Sequence, residues 1–484
     1  MRWPAARGSE LAIPSTRIEQ FVLVVLIGLG LAARFYHASY DFDGDEIFSV
    51  ELASRRFTEV ITRSLADRPH PPLHNILLHF WIQVFGASEM AVRSMGVLCS
   101  GLFLLVAHQL LRRFVASWMA LGLLGILALS PLFVYYGQQV RPYTLVALFA
   151  AANLLAFCKA MDEPTNWRRL GAWALTCALL VYTQYLGVLQ IGLEVGLAIV
   201  CWRGQALRLA MLALAGCLTL APWFVVAMGP AVAAGRDPLT HIGWISKPPA
   251  LALSWMFMSI FGSPPDLQTR WLLLLLCALG GAYLISLARR RCIPAEHALL
   301  LLVGIALPVA VFLLSVWGPK PIFASRQLLG PALAFVAVVG LAIATLPTAF
   351  GVAMMAALLV WTAASLPEAF PENTKPPWRT ITARLAESRG SMPVVASEGW
   401  ARDPVDHYAR AGLVTMLDDL TGKQRSGAFL FVCRVAKCAS METPEFAPRQ
   451  RILTDWVWGR EGIRAKSDKV VLYEVMPQLD RGTN

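Results

Sequence analysis

Apolar runs of about 20 residues recur along the chain as far as residue 366, and this repetition restricts the fold more than any other feature. A run of that length crosses the hydrocarbon core of a bilayer as a helix, whose backbone groups satisfy one another within the segment. The runs are rich in Leu, Ala and Val and lack the two-residue alternation of a membrane barrel, so the expected fold class is an α-helical polytopic membrane protein. They fall near 18–36, 89–111, 116–135, 141–159, 168–185, 187–202, 207–227, 269–288, 296–317, 326–346 and 349–366, a bundle of about 11 transmembrane helices. A mean hydropathy of +0.56 agrees with residence in lipid.

The net charge of +11 does not indicate nucleic acid, because Lys and Arg stand in short clusters between the apolar runs. Arg112 and Arg113, Lys159 with Arg168 and Arg169, Arg203 with Arg208, and Arg289 to Arg291 each follow every second run. The positive-inside rule makes those loops and the N-terminus cytoplasmic. Arg55, Arg56, Arg63 and Arg68 lie in an opposite loop, so the orientation rests on the short loops. The first 17 residues show no cleavable-signal pattern, and the first run is expected to remain as an anchor. Four segments then share the outer face: 37–88, 135–143, 228–268 and 318–326. An amphipathic helix is expected near 45–64 and a second after the prolines of HPPLHNILLHFW.

Beyond residue 367 the composition turns polar. WRTITARLAESRG reads as a helix and PVVAS, AFLFVCRV and VVLYEVMP as strands, giving a transmembrane domain over 1–367 and an extracytoplasmic α/β domain over 368–484. The tail has no Gly-rich phosphate loop and no metal-spaced Cys/His set, so packing or acceptor recognition is expected of it. Seven cysteines lie in or beside apolar runs as small hydrophobes. Cys433 and Cys438 stand in the polar tail, where they either form a disulfide, as suits an oxidising compartment, or remain thiols.

The stretch DFDGDEIF at 41–48 places Asp41, Asp43, Asp45 and Glu46 where the first apolar run ends. An EF-hand is excluded, since counting from Asp41 the sixth residue is Glu46, not glycine, and the twelfth is Leu52, not glutamate. One reading is a solvated loop capping the next helix. The other is chemical, with His70, His74, Arg141, Lys320 and Arg326 in the loops sharing that face. A carboxylate there would deprotonate a hydroxyl while cations hold a lipid-borne phosphate, and a divalent metal (Mg, Mn or Zn) held by Asp45, Glu46 and His70 would bridge the two. For His70 a helix-capping role competes with a role in the site; for Arg141, snorkelling at a helix end does. His79 reads as a packed histidine, and Trp244 and Trp255 as candidate sugar-stacking rings.

These elements follow one another in a family's order: Asp45 and Glu46 after the first span, HPPLH with FWIQVFGASEMAVR, LSPLFVYYGQQVRPYTLVALF, VYTQYLG at 181–187 and FASRQLLGPALAF at 323–335. Over residues 18–345 the chain resembles the bacterial glycosyltransferase family 39 group, of C-type glycosyltransferase fold. That group is related to the dolichyl-phosphate-mannose protein mannosyltransferases and the lipid A aminoarabinose transferases. The resemblance implies transfer of a hexosyl or pentosyl unit from a polyprenyl-phosphate-linked donor to a lipid, glycan or protein acceptor at the outer face of the bacterial inner membrane. It implies Asp45 as general base beside Glu46, a His-Pro-Pro element on His70, Pro71 and Pro72, and lipid-phosphate contact by Arg326. The outer-loop pattern Gln-Glu-Ala-Arg-x-Tyr falls on Gln138, Gln139, Val140, Arg141, Pro142 and Tyr143, with Gln139 in place of the acid. The Tyr-Thr-His-Tyr pattern falls on Tyr182, Thr183, Gln184 and Tyr185, with Gln184 in place of the histidine. Two alternatives remain: a lipid or solute transporter, whose acids would sit at mid-membrane, and a scaffold weakened in catalysis, for which Gln139 argues.

Overall fold

The computed structural model describes residues 16–477 apart from 67–69, 236, 238–244, 263–266, 290–292, 391, 410–411, 435–437, 439–442, 444–445 and 458–468. The chain divides into two compact units. One holds residues 1–36, 52–87 and 91–367; the other holds 37–51, 88–90 and 368–484. The acidic segment thus folds with the polar tail.

Every expected span falls on a helix or a bent helix pair. Among the described residues six helices are long and apolar enough to cross a membrane, and eight if each of two bent pairs is one span. The bends follow from proline. Ser117–Leu129 and Pro131–Gly137 meet at 52°, and Leu207–Leu218 and Ala221–Pro230 at 50°, with Pro131 and Pro222 opening the second member of each pair. The core of this unit is a continuous layer that includes Phe103, Leu123, Leu127, Leu154, Phe157, Trp173 and Leu333.

The bend at Ser130 has a named support. Pro131 has no N–H to offer the Leu127 carbonyl four residues earlier. The fully buried Arg34 side chain, at the end of the Arg17–Phe35 helix, donates from Nη2 to that oxygen at 3.3 Å and from Nη1 to the Ala128 oxygen at 2.8 Å. Gly137 leaves room for it: a Cβ there would lie 2.9 Å from Arg34 Nε. Gln138 then donates from Nε2 to the Ala33 and Tyr36 carbonyls at 3.2 and 2.8 Å, closing the end of the first helix. The segment expected as one amphipathic helix over 45–64 is two, Gly44–Ala53 and Phe57–Ala66, parted at the polar Ser54, Arg55 and Arg56. The helix after the prolines spans Leu73–Phe85.

The second unit is built on a five-stranded mixed sheet of order β2-β1-β3-β5-β4, with β1 Val394–Ala396, β2 Val414–Met416, β3 Phe429–Arg434, β4 Gln450–Val457 and β5 Lys469–Val475. β1 pairs in parallel with β2 and β3, whereas β5 is antiparallel to β3 and β4. Alternation sorts the strands' side chains by face. Val394, Ala396, Leu430, Val432 and Leu472 pack with Trp378, Ile381 and Leu385 of the Trp378–Arg389 helix, while Val395, Phe429, Phe431 and Val471 pack with Phe446. Cys433 and Cys438 form a disulfide with a Cα separation of 5.5 Å.

Candidate functional site

In the first unit the loops bring together His70, Arg141, Tyr143 and Arg326. Arg141 Nη2 lies 2.8 Å from His70 Nε2. A guanidinium only donates, so the imidazole accepts there and carries its proton on Nδ1. Burial, then the charges of Arg141 and Arg326, hold the His70 pKa well below its ordinary value, and the ring is neutral. The Arg326 guanidinium stands 5.9 Å from the ring centre of the buried Tyr143. Tyr143 opens the Tyr143–Asp162 helix, and Arg326, in the turn Ser325–Gln327, directly precedes the Leu329–Ile343 helix. Two guanidinium groups and the N-terminal ends of two helices form a setting for an anion.

Next to Arg326 in sequence, Gln327 and Leu328 line an apolar cleft between spans, with Val146, Leu180, Leu307 and Val311. Gln184, standing where the family pattern has histidine, donates from Nε2 to the Gln327 carbonyl at 3.1 Å. The remaining expected residues are spread more widely. His74 is buried on the Leu73–Phe85 helix, 3.4 Å from the Asn75 side-chain oxygen. Lys320 pairs with Asp237. Tyr185 packs edge-on against Phe224 at 5.8 Å, and Gln139 lies half-buried in the turn before Arg141. His79 is packed as expected, its Nδ1 2.8 Å from the Ala53 carbonyl oxygen. Trp255 is exposed on the short Ala252–Ser259 helix, and Trp244 lies outside the described residues.

In the second unit the four acids divide in role. Asp43 directly precedes the Gly44–Ala53 helix, and its Oδ1 accepts from Gly44 N at 2.9 Å. Glu46, three residues on, reaches back so that its Oε2 accepts from Asp43 N at 3.1 Å, the reciprocal half of a capping box. The same oxygen accepts from Lys375 Nζ at 2.5 Å, with both side chains out of solvent. Asp41 caps the Trp378–Arg389 helix: its Oδ2 accepts from Arg379 N at 2.8 Å and its Oδ1 from Arg379 Nη1 at 2.6 Å. Arg379 also pairs with Glu89 and lies 4.8 Å above the Tyr408 ring. Asp45 is exposed in the first turn of its helix, and Asp43 is half-buried beside it. Burial raises the Asp43 pKa to about 6, with Glu46 and Asp45 adding to the rise against Lys375 and the Gly44 N–H.

Sequence reasoning found the acids but not Lys375, Arg379, Glu89 or Tyr408. The set also bears on the expected metal. Among the described residues no three His, Cys, Asp or Glu side chains are grouped to hold an ion. Glu46 already neutralises a buried lysine, so a chelate through Asp45, Glu46 and His70 does not fit the donors present.

The family described as dolichyl-phosphate-mannose-protein mannosyltransferase matches residues 69–227. No curated protein matches the chain in sequence. Among solved structures, the fold is similar to ArnT from Cupriavidus metallidurans in the apo state, at a TM-score of 0.58 and 13% identity over 93% of this chain and 97% of that one. The same protein bound to undecaprenyl phosphate gives 0.56 at 13% identity over the same shares. AglB, the archaeal oligosaccharyltransferase from Archaeoglobus fulgidus in complex with an inhibitory peptide and a dolichol-phosphate, gives 0.55 at 12% identity over 88% and 70%. At such identities the likeness is one of fold. The family match over 69–227 and this likeness of fold both agree with the resemblance that the order of the motifs carries.

Proposed function

We propose that the protein transfers a monosaccharide from a polyprenyl-phosphate-linked donor to an acceptor hydroxyl at the outer face of the bacterial cytoplasmic membrane, with inversion. The observation that carries this reading is the pair of guanidinium groups, Arg141 and Arg326, set about a neutral His70 beside an apolar cleft. Two guanidinium groups about one imidazole suit a phosphate. The undecaprenyl phosphate and dolichol-phosphate bound by the two relatives of like fold support it.

In the mechanism, Asp45 takes the proton of the acceptor hydroxyl as that oxygen bonds to the anomeric carbon. The bond from that carbon to the phosphate oxygen breaks on the opposite side, and its electron pair leaves with the polyprenyl phosphate. Charge grows on the phosphate through the transition state, and Arg326 and Arg141 stabilise it there. Asp45 afterwards releases its proton to water. Glu46 orients the turn that carries Asp45. The phosphate link is already activated, so no nucleotide is required, and no step runs through a metal ion.

The test follows radiolabelled sugar from a polyprenyl-phosphate donor in membranes holding equal amounts of inserted protein. Asp45→Asn is expected to lower turnover by roughly 10²–10⁴-fold, the usual contribution of a positioned base. Undiminished turnover removes Asp45 from that role. Arg326→Ala is expected to raise the donor KM roughly tenfold or more and to slow transfer. A transporter would instead move the donor across the bilayer with its sugar still attached.

A further inference from the structure

The tail unit carries a buried cation, Lys375, paired with the acidic segment. Lys375 is followed by Pro376 and Pro377, and a residue before proline is held extended; its φ of −133° and ψ of 146° are of that kind. Its N–H donates to the Pro371 carbonyl at 2.8 Å, so both its backbone and its direction are set. The side chain is 4% exposed and ends on Glu46, which is 1% exposed. Glu46 passes the constraint on, because the oxygen that meets Lys375 also accepts the Asp43 N–H. The Asp43 carbonyl in turn accepts from Glu46 N and Ile47 N at 2.9 and 3.0 Å, which fixes the first turn of the helix bearing Asp45.

We propose that Lys375 is a positioning residue of the transfer site: through Glu46 it holds the turn that presents Asp45. This rests on the reading of Asp45 as the base. A buried ion pair is a poor device for stability alone, since an apolar pair of similar volume commonly does as well or better. Its use here is direction. Removing the ammonium takes the Lys375 charge away from the buried Glu46 carboxylate, and the turn must rearrange.

The test compares Lys375→Met, Lys375→Arg and the double variant Glu46→Gln with Lys375→Met in the full chain. It reads kcat and donor KM per folded molecule, together with hydrogen exchange over residues 41–53. In Lys375→Met, kcat is expected to fall roughly tenfold or more while the donor KM stays within about twofold, and exchange in the turn should quicken. Lys375→Arg keeps the charge and is expected to recover much of the loss. Wild-type kcat in folded Lys375→Met overturns the proposal. Should that variant not accumulate, the double variant, which buries no charge at the pair, takes its place: a lowered kcat supports the proposal and a wild-type kcat overturns it. Quickened exchange with unchanged transfer rejects the positioning role and leaves the transferase reading intact. Quickened exchange in a protein whose Asp45→Asn form transfers normally removes the base on which the proposal rests.

Discussion

Asp43 is a carboxylate of the acidic turn whose chemistry its surroundings alter. Its pKa is raised from 3.8 to about 6, chiefly by burial. The folded chain therefore keeps Asp43 protonated at pH values where an unfolded chain has released the proton. The stability this contributes is complete below 3.8 and is lost as pH rises through about 6. Transfer should run the other way. As pH falls through about 6 the turn takes up a proton on Asp43, and the rate declines. Asp43→Asn is expected to remove that acid limb and to flatten the pH dependence of thermal unfolding across the same window; an unchanged limb would assign it to another group. The capping role of Asp43 and Glu46 is legible in their spacing of three residues before an apolar run. Their partners are not, because Lys375 stands 329 residues beyond Glu46 and Arg379 338 beyond Asp41, where no local pattern reaches. Gln138 shows the same limit: it reads as part of an outer-loop motif, and it closes the end of the first helix.

At the scale of the helix, hydropathy locates the apolar runs, while the bends at Pro131 and Pro222 within two of them were not expected. What satisfies a broken helix was not legible either. Arg34 reads in sequence as a cation at the end of a span, a position where arginine commonly snorkels to headgroups. In the structure it turns inward to the carbonyls freed by Pro131. Arg34→Leu is expected to lower the stability of the detergent-solubilised protein by about 2–4 kcal/mol, the range for leaving buried acceptors unpaired near lipid. Gly137→Ala should act at the same place, because the added Cβ would meet Arg34 at Nε. Thermal unfolding read by the monomer peak in size exclusion checks both. Equal stability in both variants would mean the bend is held by packing alone.

For the whole molecule, the number of crossings and the compartment of the tail are one question. If all eleven runs cross, an odd number, the N-terminus and the tail lie on opposite sides. The short-loop cations Arg112, Arg113, Arg203 and Arg208 then lie in the cytoplasm and the Cys433–Cys438 disulfide in the oxidising compartment. On that count charge bias and cysteine chemistry would agree. The weak link is the short pair Trp167–Thr183 and Gly187–Cys201, at 17 and 15 residues, each below the length that crosses a bilayer without local thinning. If both cross, alkaline phosphatase fused after residue 113 or 203 stays inactive, and fusions after 233 or 366 are active, since the enzyme folds only where its disulfides form. If just one crosses, activity after 203, 233 and 366 reverses while that after 113 does not. That reversal would leave the acidic turn, which precedes the short pair, on the outer face and put Lys375 on the other side of the membrane, against the Lys375–Glu46 pair of the folded chain.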